Sequence, residues 1–156
     1  MSIERARKCL EEQGLGDRIR EFETSSATVE LAAAAIGCEP ARIAKTLSFM
    51  TKEGPVLVVA AGDRKIDNHK YKQTFQCKAK MLKGEEVERL TGHPIGGVCP
   101  FGAPENVKVY LDESLKEFDI VYPACGSSSS AVRLSVEELE RASGSLGFVD
   151  VCAKAE

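Results

Sequence analysis

The residues of this chain best suited to chemistry are one lysine set in an apolar, strand-like run and a glycine-bare loop further along. Lys45 stands within Ile43-Ala44-Lys45-Thr46-Leu47-Ser48-Phe49, and the loop is Gly96-Gly97-Val98-Cys99-Pro100-Phe101-Gly102. An ammonium is a compact charge with three donors, suited to an anionic oxygen. Glycine carries no Cβ, so backbone N–H groups at Gly96 and Gly97 can approach a carbonyl closely and stabilise charge developing on its oxygen. Together they suit an anionic, carbonyl-bearing ligand and need no protein nucleophile.

A nucleophile is hard to assemble from the remaining residues. Cys99 lies in the loop, but His69 and His93 are the only histidines, and neither sits in a recognisable partner motif. The six cysteines are scattered, without a CxxC or a local cluster. They read as free thiols in a reducing cytosol, with neither a disulfide framework nor a zinc site expected. No cofactor motif is present.

Bulk properties narrow the class. At 156 residues the chain reads as a single domain over 1–156, with 43% hydrophobic and 29% charged residues. Apolar runs such as Val56-Leu57-Val58-Val59-Ala60-Ala61 are too short to span a bilayer, and Met1-Ser2-Ile3-Glu4-Arg5 carries no apolar export signal. The expectation is therefore a cytoplasmic protein with no membrane partner. The net charge is −3, yet Arg64, Lys65, Lys70, Lys72, Lys78, Lys80 and Lys83 face only Asp67 between 64 and 83. That segment reads either as a local phosphate footprint in an acidic protein or as an ordinary solvated surface.

The elements that must position these residues alternate between two periods. Ile3, Ala6 and Leu10 share one helical face, ending at Gly14, and Thr28 can cap a second helix with Val29, Ala32, Ala33 and Ile36 inward and Gly37 as its stop. Strand patterns follow at 44–50 and 56–61, joined by a Thr51-Lys52-Glu53-Gly54-Pro55 hairpin loop. Helices are expected at 67–75 and 84–91, with a short strand near 78–82 between them. Strands follow at 107–111, 119–124 and 131–134. Ser135 with Glu138 forms a capping box for a helix through Ala142, and 147–152 closes as a strand. Many consecutive strands lie too close together for helical crossovers. The fold class is therefore α+β, a mixed and largely antiparallel sheet surrounded by helices.

Taken in order, Thr28-Val29-Glu30, Ile43-Ala44-Lys45-Thr46-Leu47, Gly62-Asp63-Arg64-Lys65-Ile66-Asp67, Gly96 through Gly102 and Tyr110-Leu111-Asp112-Glu113-Ser114-Leu115 resemble the YbaK family, the prolyl-tRNA-synthetase-associated editing domain. The strand ending in Gly126 fits the same pattern, and the likeness runs from about residue 2 to 152. The resemblance implies a trans-editing deacylase that removes a small misattached amino acid, such as alanine or cysteine, from tRNA, with proline tRNA as the expected carrier. It also implies an aminoacyl-tRNA partner and a synthetase as a second candidate partner.

Carried over residue by residue, the resemblance makes Lys45, Gly96, Gly97 and Pro100 the catalytic set. Thr46, Val98, Cys99, Phe22, Gly126 and Ser127 are expected at the substrate, and Arg64 and Lys65, in a family stretch, at tRNA; Lys70, Lys72 and Lys80 are expected at tRNA from the positive charge of the basic segment alone. Ester cleavage is then assisted by the substrate itself, through its 2′-hydroxyl or a cysteine thiol. Several positions keep two readings: Thr46 as pocket or buried strand residue, Phe22 as pocket cover or core aromatic, and Arg64 with Lys65 as tRNA contact or turn. The chain departs from the family pattern at Asn68-His69-Lys70-Tyr71-Lys72, at Ser127-Ser128-Ser129-Ser130, and near Glu23, where relatives carry a histidine. Two other classes compete with the deacylase: a non-catalytic module binding tRNA ends or amino-acid analogues, and a thiol enzyme centred on Cys99.

Overall fold

A computed structural model describes residues 2–154; residues 1, 155 and 156 of the expected domain lie outside the described residues. The elements in chain order are α1 (Ser2–Glu11), β1 (Ile19–Glu21), α2 (Val29–Ile36), β2 (Ile43–Thr51), β3 (Gly54–Ala61), β4 (Arg64–Ile66), α3 (Asn68–Phe75) and α4 (Glu85–Thr91). Then come β5 (Lys108–Asp112), β6 (Ile120–Pro123), β7 (Ser130–Val132), β8 (Leu134–Ser135), α5 (Val136–Ser143), β9 (Phe148–Val149) and β10 (Cys152–Lys154).

The organising strand is β3, whose residues from Pro55 to Ala61 are all buried. A run apolar at every position, rather than at alternate ones, belongs to a strand covered on both faces. Leu57, Val59 and Ala61 face one side, and Val59 and Ala61 pack there with Phe101, Leu111, Leu115 and Leu139. Val56, Val58 and Ala60 face the other side, against Phe49, Tyr71 and Val151. The six-stranded sheet runs β8-β6-β2-β3-β5-β9, and the pairs β1–β7 and β4–β10 form two small antiparallel ribbons. The fold is α+β with a mixed sheet. The β2–β3 hairpin is its longest pairing, from Ala44 opposite Ala61 to Thr51 opposite Gly54, and is antiparallel, whereas β2–β6, β3–β5 and β5–β9 are parallel.

Local signals fix the helices. Thr28 accepts from the Leu31 N–H, and Gly37 closes α2 in the left-handed conformation. The capping box is complete: Ser135 accepts from the Glu138 N–H, and the Glu138 carboxylate accepts from the Ser135 N–H. Three expected strands differ from the pattern. The 78–82 stretch makes only one bridge to β2, Met81 opposite Phe49. The 131–134 run divides at Arg133, whose N–H donates to the Arg18 carbonyl, so that β7 joins β1 while β8 joins β6. The 147–152 run divides at Asp150 and Val151, where the buried Asp112 carboxylate accepts from the Val151 N–H at 2.9 Å.

Candidate active site

One cavity of about 540 Å³ opens along the outer edge of β2, where Lys45 and Thr46 line it. The N-terminal turn of α2 supplies a second wall through Thr28, Val29 and Ala32; Gly96 and Val98 supply a third. Met81 and Lys83 close it on the remaining side, and Ala124 with Ala131 form part of its back. Thus Lys45 and the glycine loop, distant in sequence, border the same space.

The Lys45 ammonium is held by backbone. It donates to the Gly62 carbonyl at 3.4 Å, in the turn that joins β3 to β4, and to the carbonyl of Arg64, the first residue of β4. That turn packs tightly, since a Cβ on Gly62 would run into the Pro40 carbonyl oxygen. Burial lowers the lysine's pKa below its ordinary value, against the opposing charges of Cys152, Asp63 and Glu30. Two of its three donors are engaged, which leaves one for a ligand.

The loop glycines serve packing as well as access. Gly96 has φ +90°, and a Cβ there would lie 3.1 Å from the Ala27 Cβ and 3.3 Å from the Ser128 Cβ. Gly97 is buried and donates its N–H to the Pro94 carbonyl at 2.9 Å, so this donor is already used. Pro100 and Cys99 are buried beneath the loop and are not among the cavity-lining residues.

Cys99 does have a histidine neighbour that spacing did not reveal: its Sγ lies 3.6 Å from His93 Nε2. The pair is built for structure. Both side chains are fully buried, and His93 Nε2 lies 2.9 Å from the Phe101 carbonyl, which can only accept, so Nε2 carries the proton. A protonated Nε2 cannot take one from the thiol. Burial raises the Cys99 thiol well above its ordinary range and lowers His93, which keeps both neutral.

The other sequence candidates fall outside the cavity. Phe22 is half-buried beneath the Arg20 guanidinium, 5.5 Å from its ring centre, and its N–H donates to the Ser129 carbonyl. Gly126 and Ser127 sit behind the glycine loop, and the Ser127 and Ser130 hydroxyls bond each other at 2.8 Å. Ser130, not Ser127, reaches the cavity wall. Of the basic residues, Arg64 is paired with Asp63 and Glu117, and Lys70 with Asp150. Lys65, Lys72 and Lys80 are exposed, and none of the described ion pairs engages them.

Sequence reasoning missed Ser26, Met81 and Ile95, which also line the cavity, and counted Lys83, another lining residue, only with the basic segment. Ile95 and Met81 are 67% and 48% exposed at its mouth, apolar side chains with no periodic pattern to mark them. Among the described residues no helix is long and apolar enough to cross a membrane, and no cluster of His, Cys, Asp or Glu is placed to hold a metal ion.

Known proteins share this architecture. A solved structure described as a candidate trans-editing enzyme for prolyl tRNA synthetase superposes with TM-score 0.87 at 31% identity, covering 99% of this chain and 98% of that one. The hypothetical protein APE2540 superposes with TM-score 0.85 at 29% identity over 96% and 99% of the two chains. Residues 23–142 match the family model of the aminoacyl-tRNA editing domain, and the chain belongs to that family. An uncharacterised protein of Bacillus subtilis strain 168, YwhH, is 52% identical over 97% of this chain and 98% of its own length. The proline–tRNA ligase of Aquifex aeolicus is 34% identical over 90 residues, which is 56% of this chain and only 16% of the ligase.

Proposed function

We propose that the chain is a cytoplasmic trans-editing deacylase, which hydrolyses the ester between a small misattached amino acid and the terminal ribose of tRNA, with proline tRNA as the carrier. The observation that carries this reading is a cavity bordered by both Lys45 and Gly96 in a chain of the editing-domain family. Its volume of about 540 Å³ suits an amino acid with its ribose.

In this reading the third Lys45 donor takes a ribose or phosphate oxygen and fixes the ester against the glycine loop. Water adds to the ester carbon, the bond to the ribose oxygen breaks, and the proton lost by water reaches that oxygen through the neighbouring ribose hydroxyl. With a cysteinyl ester the substrate thiol can attack instead: a carbon–sulfur bond forms, the same carbon–oxygen bond breaks, and the thiol proton passes to the ribose. Neither route uses Cys99. The exposed Lys65, Lys72 and Lys80 supply phosphate contacts, while Arg64 and Lys70 hold the fold through their carboxylate partners. A prolyl-tRNA synthetase is the candidate protein partner.

The test charges proline tRNA separately with alanine, cysteine and serine and follows release by purified protein. Release of at least one, against none from correctly charged tRNA, is expected. Tight binding of the RNA without release of any amino acid would favour a binding module.

A further inference from the structure

The outer edge of β2 is covered at both ends and open between them. β6 runs beside it only at Ile43 and Ala44, opposite Tyr122 and Pro123. Beyond the opening the 80–82 segment takes over, with the Met50 N–H donating to the Lys80 carbonyl at 2.9 Å and the Leu82 N–H donating to the Ser48 carbonyl at 3.0 Å. These bonds fix the parity of the strand. Successive residues of an antiparallel ladder turn their backbone groups to opposite edges, so the even-numbered residues here point outward. Thr46, opposite Val59 of β3, therefore turns both its N–H and its C=O into the opening, in the wall of the cavity.

We propose that this open edge binds the aminoacyl group of the substrate as a one-residue extension of the sheet. The proposal rests on the editing reading and names the backbone of Thr46 as a catalytic group. An aminoacyl ester carries its α-ammonium and carbonyl oxygen much as a strand residue carries its N–H and C=O. The substrate ammonium donates to the Thr46 carbonyl, and the Thr46 N–H donates to the ester carbonyl oxygen, the reciprocal bonds of an antiparallel pair. When water adds to the ester carbon, charge collects on that oxygen, directly in front of the Thr46 N–H.

This assignment adds a donor where others are engaged, because the Gly97 N–H is bonded to Pro94 and two Lys45 donors are bonded to Gly62 and Arg64. It also separates binding from selectivity. The paired groups are common to all amino acids, so the side chain is read by the cavity walls alone.

Two measurements test the proposal. In the first, ¹⁵N-labelled protein is titrated with alanyl- and seryl-3′-amino-3′-deoxyadenosine, whose amide linkage resists hydrolysis. The Thr46 amide resonance is expected to shift, and its hydrogen exchange to slow. In the second, Thr46 is replaced by its α-hydroxy acid, which turns its N–H into an ester oxygen. That N–H is outside the β2–β3 ladder, and the substitution otherwise only weakens the Lys45 carbonyl as an acceptor opposite Ala60, so the variant is expected to fold with a small drop in melting temperature and to deacylate about 10²-fold more slowly. A Thr46 amide that stays put while Gly96 or Val98 moves overturns strand-edge binding, as does undiminished turnover in the folded ester variant. Wild-type protein that binds the analogue through Thr46 but releases no amino acid from any mischarged tRNA overturns the deacylase reading and supports the edge site.

Discussion

A Cβ on Gly97 would lie 2.6 Å from the backbone nitrogen of Ser127, so the glycine loop and the 126–130 turn touch backbone to backbone. Real Cβ atoms do not approach main chain so closely, and a backbone neighbour cannot swing aside as a long side chain can. Gly97→Ala must therefore push the two segments apart. The expected loss is on the order of 1–3 kcal/mol in stability, together with reduced deacylation as Gly96 shifts in the cavity wall. Denaturant unfolding of the variant checks it, and an unchanged midpoint would contradict the packing described.

Cys99 faces a histidine nitrogen that already carries a proton, and burial keeps its thiol neutral. Cys99→Ala is expected to keep its deacylase activity within a few-fold while losing about 1 kcal/mol of stability from the small void created. Turnover assays beside thermal melts separate the two effects. A well-folded Cys99→Ala protein with no activity would instead support a thiol enzyme.

Glu138 is held down to about 2 by the Arg18 guanidinium at 2.6 Å and by the Ser135 N–H. Its carboxyl in the unfolded chain titrates near 4.5. A carboxyl depressed in the folded state contributes stability that is full above the unfolded value and fades as pH falls through the folded one. Between these limits the unfolded chain binds the extra proton. The stability gap between wild type and Glu138→Gln is expected to be constant near neutrality and to close on acidification from pH 4.5 toward 2. A gap independent of pH over that range would remove the ion pair and capping box as its source.

Tyr71 is fully buried between Phe49 and Phe75, with ring centres 4.9 and 4.8 Å away, yet its hydroxyl has no hydrogen-bond partner. Burial pushes this phenol up to about 12. Tyr71→Phe keeps the ring contacts and removes an unpaired polar atom, so stability should hold or rise by about 1 kcal/mol. A clear loss in calorimetry would mean that the hydroxyl is satisfied.

How much could be read from sequence follows the range of the forces involved. The caps of α2 and α5, the Lys45 strand and the glycine loop are local patterns, and each appeared where its residues indicated. Arg133 and Val151 were not legible, because their backbone bonds to the Arg18 carbonyl and the Asp112 carboxylate depend on chain brought from far away. The cavity was half legible. Lys45, Thr46, Gly96 and Val98 stood in recognisable motifs, whereas Met81 and Ile95 are exposed apolar residues whose place at the mouth only the tertiary fold decides. The basic segment divided the same way, since Arg64 and Lys70 found carboxylates in distant elements that charge counting could not foresee.

The most direct test of the central claim compares wild type with Lys45→Met on proline tRNA charged with alanine, cysteine or serine, since methionine keeps the aliphatic stem and removes only the ammonium. The wild type should release at least one of these amino acids, and the folded variant should do so roughly 10²-fold more slowly or worse. Equal release by both proteins would contradict a catalytic role for the cation on β2.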